Sequence, residues 1–143
     1  MKPQDFSIDF RSGVPVYIQL VEQMITLLSE GELQAGEQIP TVRQMASELR
    51  INFNTIARAY RMLNEAGLIS TQQGRGTYIS EKPAAEKTEG LKRKALEAQI
   101  QRFIKLLKRQ GYRPDEVESL LMENFTLWKS GHLQDEENID FDS

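Results

Sequence analysis

The chain has 143 residues, a formal net charge of −3 and no cysteine. This length allows one domain, or a small domain with an appendage. The absence of cysteine excludes a disulfide framework, a thiolate metal site and a cysteine nucleophile. A single histidine, His132, excludes clusters of histidine ligands, and no apolar run is long enough to cross a membrane. We therefore expect a soluble, cytoplasmic protein that has no metal site, no cofactor and no membrane association.

The charged residues are segregated along the chain. Residues 1–39 carry two basic and six acidic side chains, and residues 113–143 carry two and nine. Between them, residues 40–80 carry five basic and two acidic side chains, and residues 81–112 carry nine and four. Basic blocks of this kind favour a polyanionic partner, although a solvated surface would have the same composition.

The first 39 residues predict a short edge strand followed by an amphipathic helix. Apolar and polar residues alternate over residues 6–10, as they would in a half-buried strand. Pro15 suits the first turn of a helix, and apolar residues then recur every three or four positions as far as Leu28. Residues 32–39 are predicted to form a loop.

Residues 41–66 predict two short helices separated by a turn. Thr41 and Gln44 have the spacing of a capping box, in which each side chain bonds the backbone of the other residue. Asn52 is a favourable cap for the second helix, which would end near Ala66. A turn of about three residues between two such helices is typical of a helix-turn-helix.

Two β-prone runs follow, residues 68–72 and residues 77–80, separated by a tip that contains Gly74-Arg75-Gly76. Glycines on both sides of an arginine predict a hairpin tip from which a cation projects. A three-helix core followed by such a hairpin is a winged helix-turn-helix. We therefore assign residues 1–80 to a winged helix-turn-helix domain.

The remaining residues predict a linker, two helices and a tail. Residues 81–90 contain no large apolar residue and are assigned to a linker, with a frayed helix start as the alternative. Residues 91–131 predict two amphipathic helices, the first starting at Leu91 with apolar residues at coiled-coil spacing and the second opened by Pro114. Residues 132–143 carry five acidic and no Lys or Arg side chains, which predicts a disordered tail.

Residues 8–80 contain four specific motifs. They are Ile39-Pro40-Thr41-Val42-Arg43, Asn52 with Thr55-Ile56, Leu63-Asn64-Glu65-Ala66-Gly67-Leu68-Ile69, and Gly74-Arg75-Gly76-Thr77-Tyr78-Ile79. With these motifs the segment resembles the GntR family of bacterial winged-helix regulators. The short helical remainder resembles the YtrA-type subfamily. Two positions depart from the family pattern: Arg50 stands where the family often has glycine, and Phe53 stands where many members have arginine.

The pattern and the resemblance both indicate a mainly α fold with a small β-wing and a two-helix dimerisation appendage. The resemblance implies a homodimeric, sequence-specific transcriptional regulator, more often a repressor than an activator. It would bind a palindromic operator on double-stranded DNA and control an operon, commonly one for a transporter. A small-molecule effector, if the protein uses one, would bind at the dimer cleft or the domain junction. The alternative is a winged-helix adaptor that binds protein, and no motif supports an enzyme.

The resemblance implies that the second helix of the motif enters the major groove. Asn54 would then bond an adenine edge, and Arg58 would bond guanine or a phosphate. Phe53 would contact a thymine methyl group. The alternatives are that Asn54 and Thr55 only cap the helix, and that Arg58 is a solvated surface residue.

Two further arginines are candidates for backbone contacts. Arg43 lies in the first turn of the preceding helix, where it would contact the sugar–phosphate backbone or, alternatively, pair with Glu48 or Glu65. Arg75 would enter the minor groove, hold a phosphate, or remain solvated. The complete set of candidate DNA-contact residues is Thr41, Arg43, Asn52, Phe53, Asn54, Thr55, Arg58, Gln73, Gly74, Arg75 and Thr77.

The apolar seams of the two C-terminal helices are too extensive for one short hairpin to bury. Two hairpins related by a two-fold axis would close into a four-helix cluster, although an intrachain core would use the same residues. We expect a mixed role in which dimerisation predominates. The candidate interface residues are Leu96, Ile100, Phe103, Leu107, Leu121, Phe125 and Trp128.

Overall fold

The computed structural model describes residues 1–81 and 85–134, with only the backbone of residues 85 and 86. Its regular elements are the helices α1 (Val16–Ser29), α2 (Val42–Leu49), α3 (Phe53–Glu65), α4 (Ala85–Arg109) and α5 (Pro114–Lys129), and the strands β1 (Gln38–Ile39), β2 (Ile69–Gln72) and β3 (Gly76–Ile79). The predicted mainly α fold with a small β-wing is confirmed. The chain divides into two compact units, residues 1–100 and residues 101 onward.

The helix-turn-helix of the first unit is held by the predicted caps. The Thr41 hydroxyl accepts a hydrogen bond from the Gln44 backbone N–H at 3.1 Å, and the Gln44 side chain accepts one from the Thr41 N–H at 2.9 Å. Asn52 Oδ1 accepts a hydrogen bond from the Asn54 N–H at 2.8 Å. Because these side chains satisfy N–H groups that lack helical partners, α2 and α3 begin where the sequence predicts.

Arg50 and Tyr60 are two constrained residues of the helix-turn-helix. Arg50 ends α2 in the left-handed conformation, with φ at 54°, which costs an arginine more than the glycine that the family often places there. Tyr60 of α3 donates a hydrogen bond from its hydroxyl to the Pro40 carbonyl, just before α2. Burial raises the pKa of Tyr60 above its usual value, so the hydroxyl keeps its proton and remains a donor.

The strands form an antiparallel sheet in the order β1-β3-β2. β2 and β3 are the predicted hairpin, and they pair Ile69 with Ile79 and Thr71 with Thr77. β1 lies in the stretch predicted as a loop and pairs Ile39 with Thr77. Directly paired residues share one face of a sheet, and the three isoleucines on this face are buried in the core that α1, α2 and α3 also enter.

The predicted edge strand over residues 6–10 is wrong, because this segment forms no strand. A 3-10 turn covers Pro3–Asp5, and the chain then runs along α1. The Gln23 side chain accepts a hydrogen bond from the Ser7 N–H at 2.9 Å and donates one to the Ser7 carbonyl at 2.7 Å. Gln19 binds the N–H and carbonyl of Asp9 in the same way. These amides satisfy backbone groups that a neighbouring strand would otherwise satisfy.

Helix α4 begins within the segment assigned to the linker. The assigned linker covers residues 81–90 and the predicted long helix starts at Leu91, but α4 starts at Ala85, which agrees with the alternative of a helix start in this segment. Residues 82–84 of that linker lie outside the described residues. Leu91 and Ala95 are each 1% exposed, and Leu91 belongs to the same apolar core as α1 and α3. This packing favours the helical turn before Leu91, which the polar composition of the segment does not reveal.

The second unit contains the end of α4 and the whole of α5. Pro114 and two acidic residues occupy the first turn of α5, as predicted. Every described side chain from residue 101 to residue 134 is at least partly exposed, and Leu107, Val117 and Leu121 are the half-buried ones. The predicted acidic tail lies outside the described residues from residue 135 onward. Within the described ranges, no helix combines the length and the apolar character that crossing a bilayer requires.

Candidate functional site

The recognition helix α3 presents one polar face to solvent. Its opposite face is formed by the buried residues Ile56, Ala59, Tyr60 and Leu63. Asn54, Arg58 and Arg61 follow one another at four- and three-residue spacing on the polar face, and all three are exposed. Arg61 is not among the predicted contacts. Its spacing of three residues from Arg58 is the sequence signal that places it on the same face of the helix.

The start of α3 leaves two side chains available for a ligand. The side-chain cap of α3 is provided by Asn52 and not by Asn54. The side-chain amide of Asn54 bonds no other described residue. Phe53 is 51% exposed, whereas Thr55 is half-buried. The free amide of Asn54 can both donate and accept a hydrogen bond, which is the pattern that an adenine edge requires.

Arg58 has a defined partner within the protein. Its guanidinium carbon lies 3.9 Å from the centre of the Tyr17 ring, which makes a cation–π contact between α3 and the first turn of α1. Tyr17 is half-buried, whereas Arg58 is exposed. Arg58 pairs with no described carboxylate. The sequence identifies Arg58 as a candidate but contains no signal for its partner on α1.

Arg43 is exposed in the first turn of α2. The alternative ion pair with Glu48 or Glu65 is absent, since no ion pair among the described residues includes Arg43. Half-buried Thr41 uses its hydroxyl as the acceptor of the cap. Arg43 therefore adds positive charge beside a helix N-terminus, whose dipole already favours anions.

The wing tip between β2 and β3 holds Arg75 on a fixed turn. Gly74 and Gly76 flank it with φ values of +78° and +123°, which favour glycine. The Arg75 carbonyl accepts hydrogen bonds from the Tyr78 hydroxyl at 3.0 Å and from the Gln38 side chain at 3.4 Å. Tyr78 and Gln38, which are not among the predicted site residues, therefore hold the backbone of Arg75, whose cationic side chain is exposed.

We correct the prediction for Thr77, which is not part of the exposed tip. Thr77 is only 3% exposed, and its Oγ1 lies 3.4 Å from Thr71 Oγ1. Alternation along β3 places Thr77 on the same inner face as Ile79, so the side chain is unavailable to DNA in this structure. Gln73, in contrast, is exposed at the tip, so it stays a candidate contact.

The predicted interface residues of the C-terminal helices are not buried within the chain. Leu107 and Leu121 are half-buried, and the others are exposed: Leu96, Ile100, Phe103, Phe125 and Trp128. The Phe125 and Trp128 rings stack, with their centres 6.0 Å apart. An intrachain core made of these side chains, the alternative that the sequence left open, is therefore not formed.

An open groove follows the apolar side of the second unit. Its volume is about 470 Å³, and its walls are formed mainly by Phe103, Leu107, Tyr112, Val117, Leu120 and Leu121. The groove is lined by residues of α4, α5 and their connecting loop. In the described ranges, no three His, Asp or Glu side chains are grouped so that they could hold a metal ion.

Comparisons with known proteins match this architecture. The family model described as bacterial regulatory proteins, gntR family, matches residues 16–79. The HTH-type transcriptional regulator YhcF of Bacillus subtilis is 36% identical over 108 residues, which cover 76% of this chain and 88% of that protein. The HTH-type transcriptional repressor YtrA of the same organism is 42% identical over 83 residues, which cover 58% of this chain and 64% of that protein.

A solved structure is similar over most of the chain. YtrA from Sulfolobus acidocaldarius, a GntR-family transcription factor, aligns with 85% of this chain and 97% of its own, with a TM-score of 0.50 and 27% sequence identity. These relatives are transcriptional regulators rather than enzymes. The chain therefore belongs to the GntR family of bacterial regulatory proteins, and it is a DNA-binding transcriptional regulator.

Proposed function

We propose that the protein is a homodimeric repressor that binds a palindromic operator through two winged helix-turn-helix domains. The observation that carries the proposal is the second unit, in which no described side chain is buried. The similarity to the B. subtilis repressor YtrA supports repression. By analogy with the YtrA-type subfamily, the regulated genes would form an operon of the transporter type.

The apolar side of the second unit requires a partner. Soluble monomers rarely expose contiguous apolar patches larger than a few hundred Å², yet large side chains such as Leu120 and Trp128 are exposed here. Two helices offer each other too little surface to cover both seams. A second copy of the chain presents the same residues, so two hairpins related by a two-fold axis can cover each other.

The groove of the second unit is where we place the partner's side chains. Its walls contain Phe103, Leu107 and Leu121, three of the predicted interface residues. Occupation by apolar side chains of a second copy would remove this surface from water. A small-molecule effector, if the protein uses one, would bind at the cleft between the two copies.

The winged-helix domain supplies the DNA contacts. Arg43 and Arg75 are exposed cations without an ion pair among the described residues, and we assign them to phosphates, with the minor groove as the alternative for Arg75. Asn54 and Arg58 lie on the polar face of the recognition helix, where we assign them to base edges, with a phosphate as the alternative for Arg58. Phe53 is assigned to a thymine methyl group.

Dimerisation is needed because one domain makes few contacts. Each neutralised phosphate contributes about 0.9 to the salt dependence of log K, so a single domain with a few contacts would bind weakly and be sensitive to salt. Two domains on one two-fold axis would read two half-sites about one helical turn apart. The operator would accordingly be palindromic.

Two matched substitutions in α5 test the dimer. Leu120 is 61% exposed and lines the groove, whereas Met122 is 60% exposed and is not among the groove residues. We expect Leu120→Glu to produce a folded monomer whose affinity for fragments of the protein's own promoter is at least about tenfold lower. Met122→Glu should remain dimeric and bind as the parent does.

Sedimentation velocity measures the oligomeric state of each variant, and mobility-shift assays measure its affinity for DNA. A dimeric, fully active Leu120→Glu variant would show that the groove is not the interface. A parent protein that binds promoter fragments without preference for a palindrome, and without steep salt dependence, would favour the protein-binding adaptor instead.

A further inference from the structure

We infer that Tyr17 is a positioning residue that holds Arg58 in its DNA-binding orientation. The inference rests on the proposed function, because it takes Arg58 as a DNA contact. The two residues lie on different helices, Tyr17 in the first turn of α1 and Arg58 on the recognition helix α3. They are joined by the contact of 3.9 Å between the guanidinium carbon and the ring centre.

The contact leaves the hydrogen-bond donors of Arg58 available. The guanidinium group is planar, and its five N–H groups point outward in that plane. A ring that lies against one face of the group therefore does not consume these donors. Arg58 is exposed, and neither a carboxylate nor a carbonyl of the described chain bonds it. The donors that would meet a guanine edge or a phosphate are thus unoccupied.

Tyr17 provides a fixed platform for the guanidinium. Its ring is half-buried and packs against the core of the first unit. An exposed arginine loses side-chain entropy when a ligand orders it, and a guanidinium that already rests on a fixed ring loses less. The Tyr17 hydroxyl bonds no described residue, so the ring alone accounts for the effect.

The expected effect follows from the strength of an exposed cation–π contact. Because the contact orients Arg58 before binding, its loss lowers affinity by at most about two- to fivefold per half-site, or at most about four- to twenty-five-fold on a palindromic duplex that binds two copies. Tyr17→Leu should show this loss. Tyr17→Phe keeps the ring and should bind as the parent does.

A double-mutant cycle tests the inference on the full-length protein. The probe is the duplex that the parent protein selects with highest affinity from a randomised library, and the variants are Tyr17→Leu, Arg58→Ala and the double substitution. We expect Tyr17→Leu to weaken binding when Arg58 is present and to have no further effect when position 58 is alanine. Equal losses in both backgrounds would mean that Tyr17 only supports the fold, and would overturn the inference. Unchanged or tighter binding by Tyr17→Leu would also overturn it.

A second substitution keeps the test decisive if Tyr17→Leu unfolds the domain. A ring-fluorinated phenylalanine at position 17 retains the shape of the ring but weakens its negative face. It should reduce affinity relative to Tyr17→Phe, and equal affinity would contradict the inference. If the parent protein selects no duplex, the proposed function fails and this inference fails with it. If the parent selects a duplex and the cycle shows no coupling, the inference alone fails.

Discussion

The side chain of Gln19 binds both backbone groups of Asp9. Its Oε1 accepts a hydrogen bond from the Asp9 N–H at 2.9 Å, and its Nε2 donates one to the Asp9 carbonyl at 2.8 Å. The same Nε2 donates to Ser12 Oγ at 3.1 Å and to the Val14 carbonyl at 2.8 Å. Gln19 is only 8% exposed. Its one buried amide therefore holds the segment that precedes α1 against that helix.

Gln19→Leu should therefore lower the free energy of unfolding by about 2–3 kcal/mol, because it leaves several backbone groups without partners. Gln23→Leu is the matched control. Gln23 makes a similar pair of bonds with Ser7, but the Gln23 side chain is half-buried rather than buried. Water can replace these bonds more easily than those of Gln19, so we expect a loss of about 1 kcal/mol. Urea unfolding at one fixed protein concentration measures both values. Equal losses would contradict the special role of Gln19.

Arg50→Gly should raise the free energy of unfolding by about 0.5–1 kcal/mol. Arg50 has a φ of 54°, and the left-handed conformation costs a residue with a side chain about 1–2 kcal/mol. Glycine avoids this cost but loses about 0.5–1 kcal/mol of chain entropy on folding. Arg50→Val should have the opposite effect, since a β-branched residue fits this conformation worst. Thermal unfolding checks both directions, and a lower midpoint for Arg50→Gly would refute the strain argument.

The features that the sequence predicts well have local signals. The helix-turn-helix is predicted by two caps, the one formed by Thr41 and Gln44 and the one formed by Asn52. Each cap joins residues only two or three positions apart, so a short window of sequence contains it. The burial of Thr77 also has a local signal, since residues two apart on a strand share one face and Ile79 is apolar. The wing motif alone does not show this burial, because it does not distinguish the inner face of β3 from the outer one.

The features that escaped prediction depend on residues distant in sequence. β1 is only two residues long and exists because it pairs with β3. The early start of α4 depends on the burial of Leu91 in the core, and the partner of Arg58 lies on α1. Such contacts arise only when the chain folds, so no window of the sequence contains them.

Arg43→Ala should weaken binding to the selected duplex and to random duplex by similar factors. A phosphate contact carries no sequence information, and its loss should reduce the salt slope by about one per copy. Arg113→Ala removes the same charge from the second unit, where Arg113 already pairs with Asp115 at 2.9 Å, and should leave binding nearly unchanged. Titrations at several salt concentrations measure both slopes. An Arg43→Ala variant that binds as the parent does would remove Arg43 from the interface.

Asn54→Ala should relax the base preference at one position of each half-site. A bidentate amide–adenine contact discriminates by about 1–3 kcal/mol, so the selected motif should lose its preference there while the rest persists. Asn64→Ala, at an exposed asparagine near the end of the same helix, is the control and should return the parental motif. Selection from a randomised library measures both, and an unchanged motif for Asn54→Ala would exclude this residue from base recognition.

Sedimentation velocity of the full chain, alone and with the duplex it selects, tests the central claim most directly. We predict a dimer at micromolar concentration and a complex of two chains on each duplex, with Leu120→Glu shifted to the monomer. A parent protein that sediments as a monomer, or that binds its duplex as a single chain, would contradict the proposal that the apolar side of the second unit joins two DNA-binding domains.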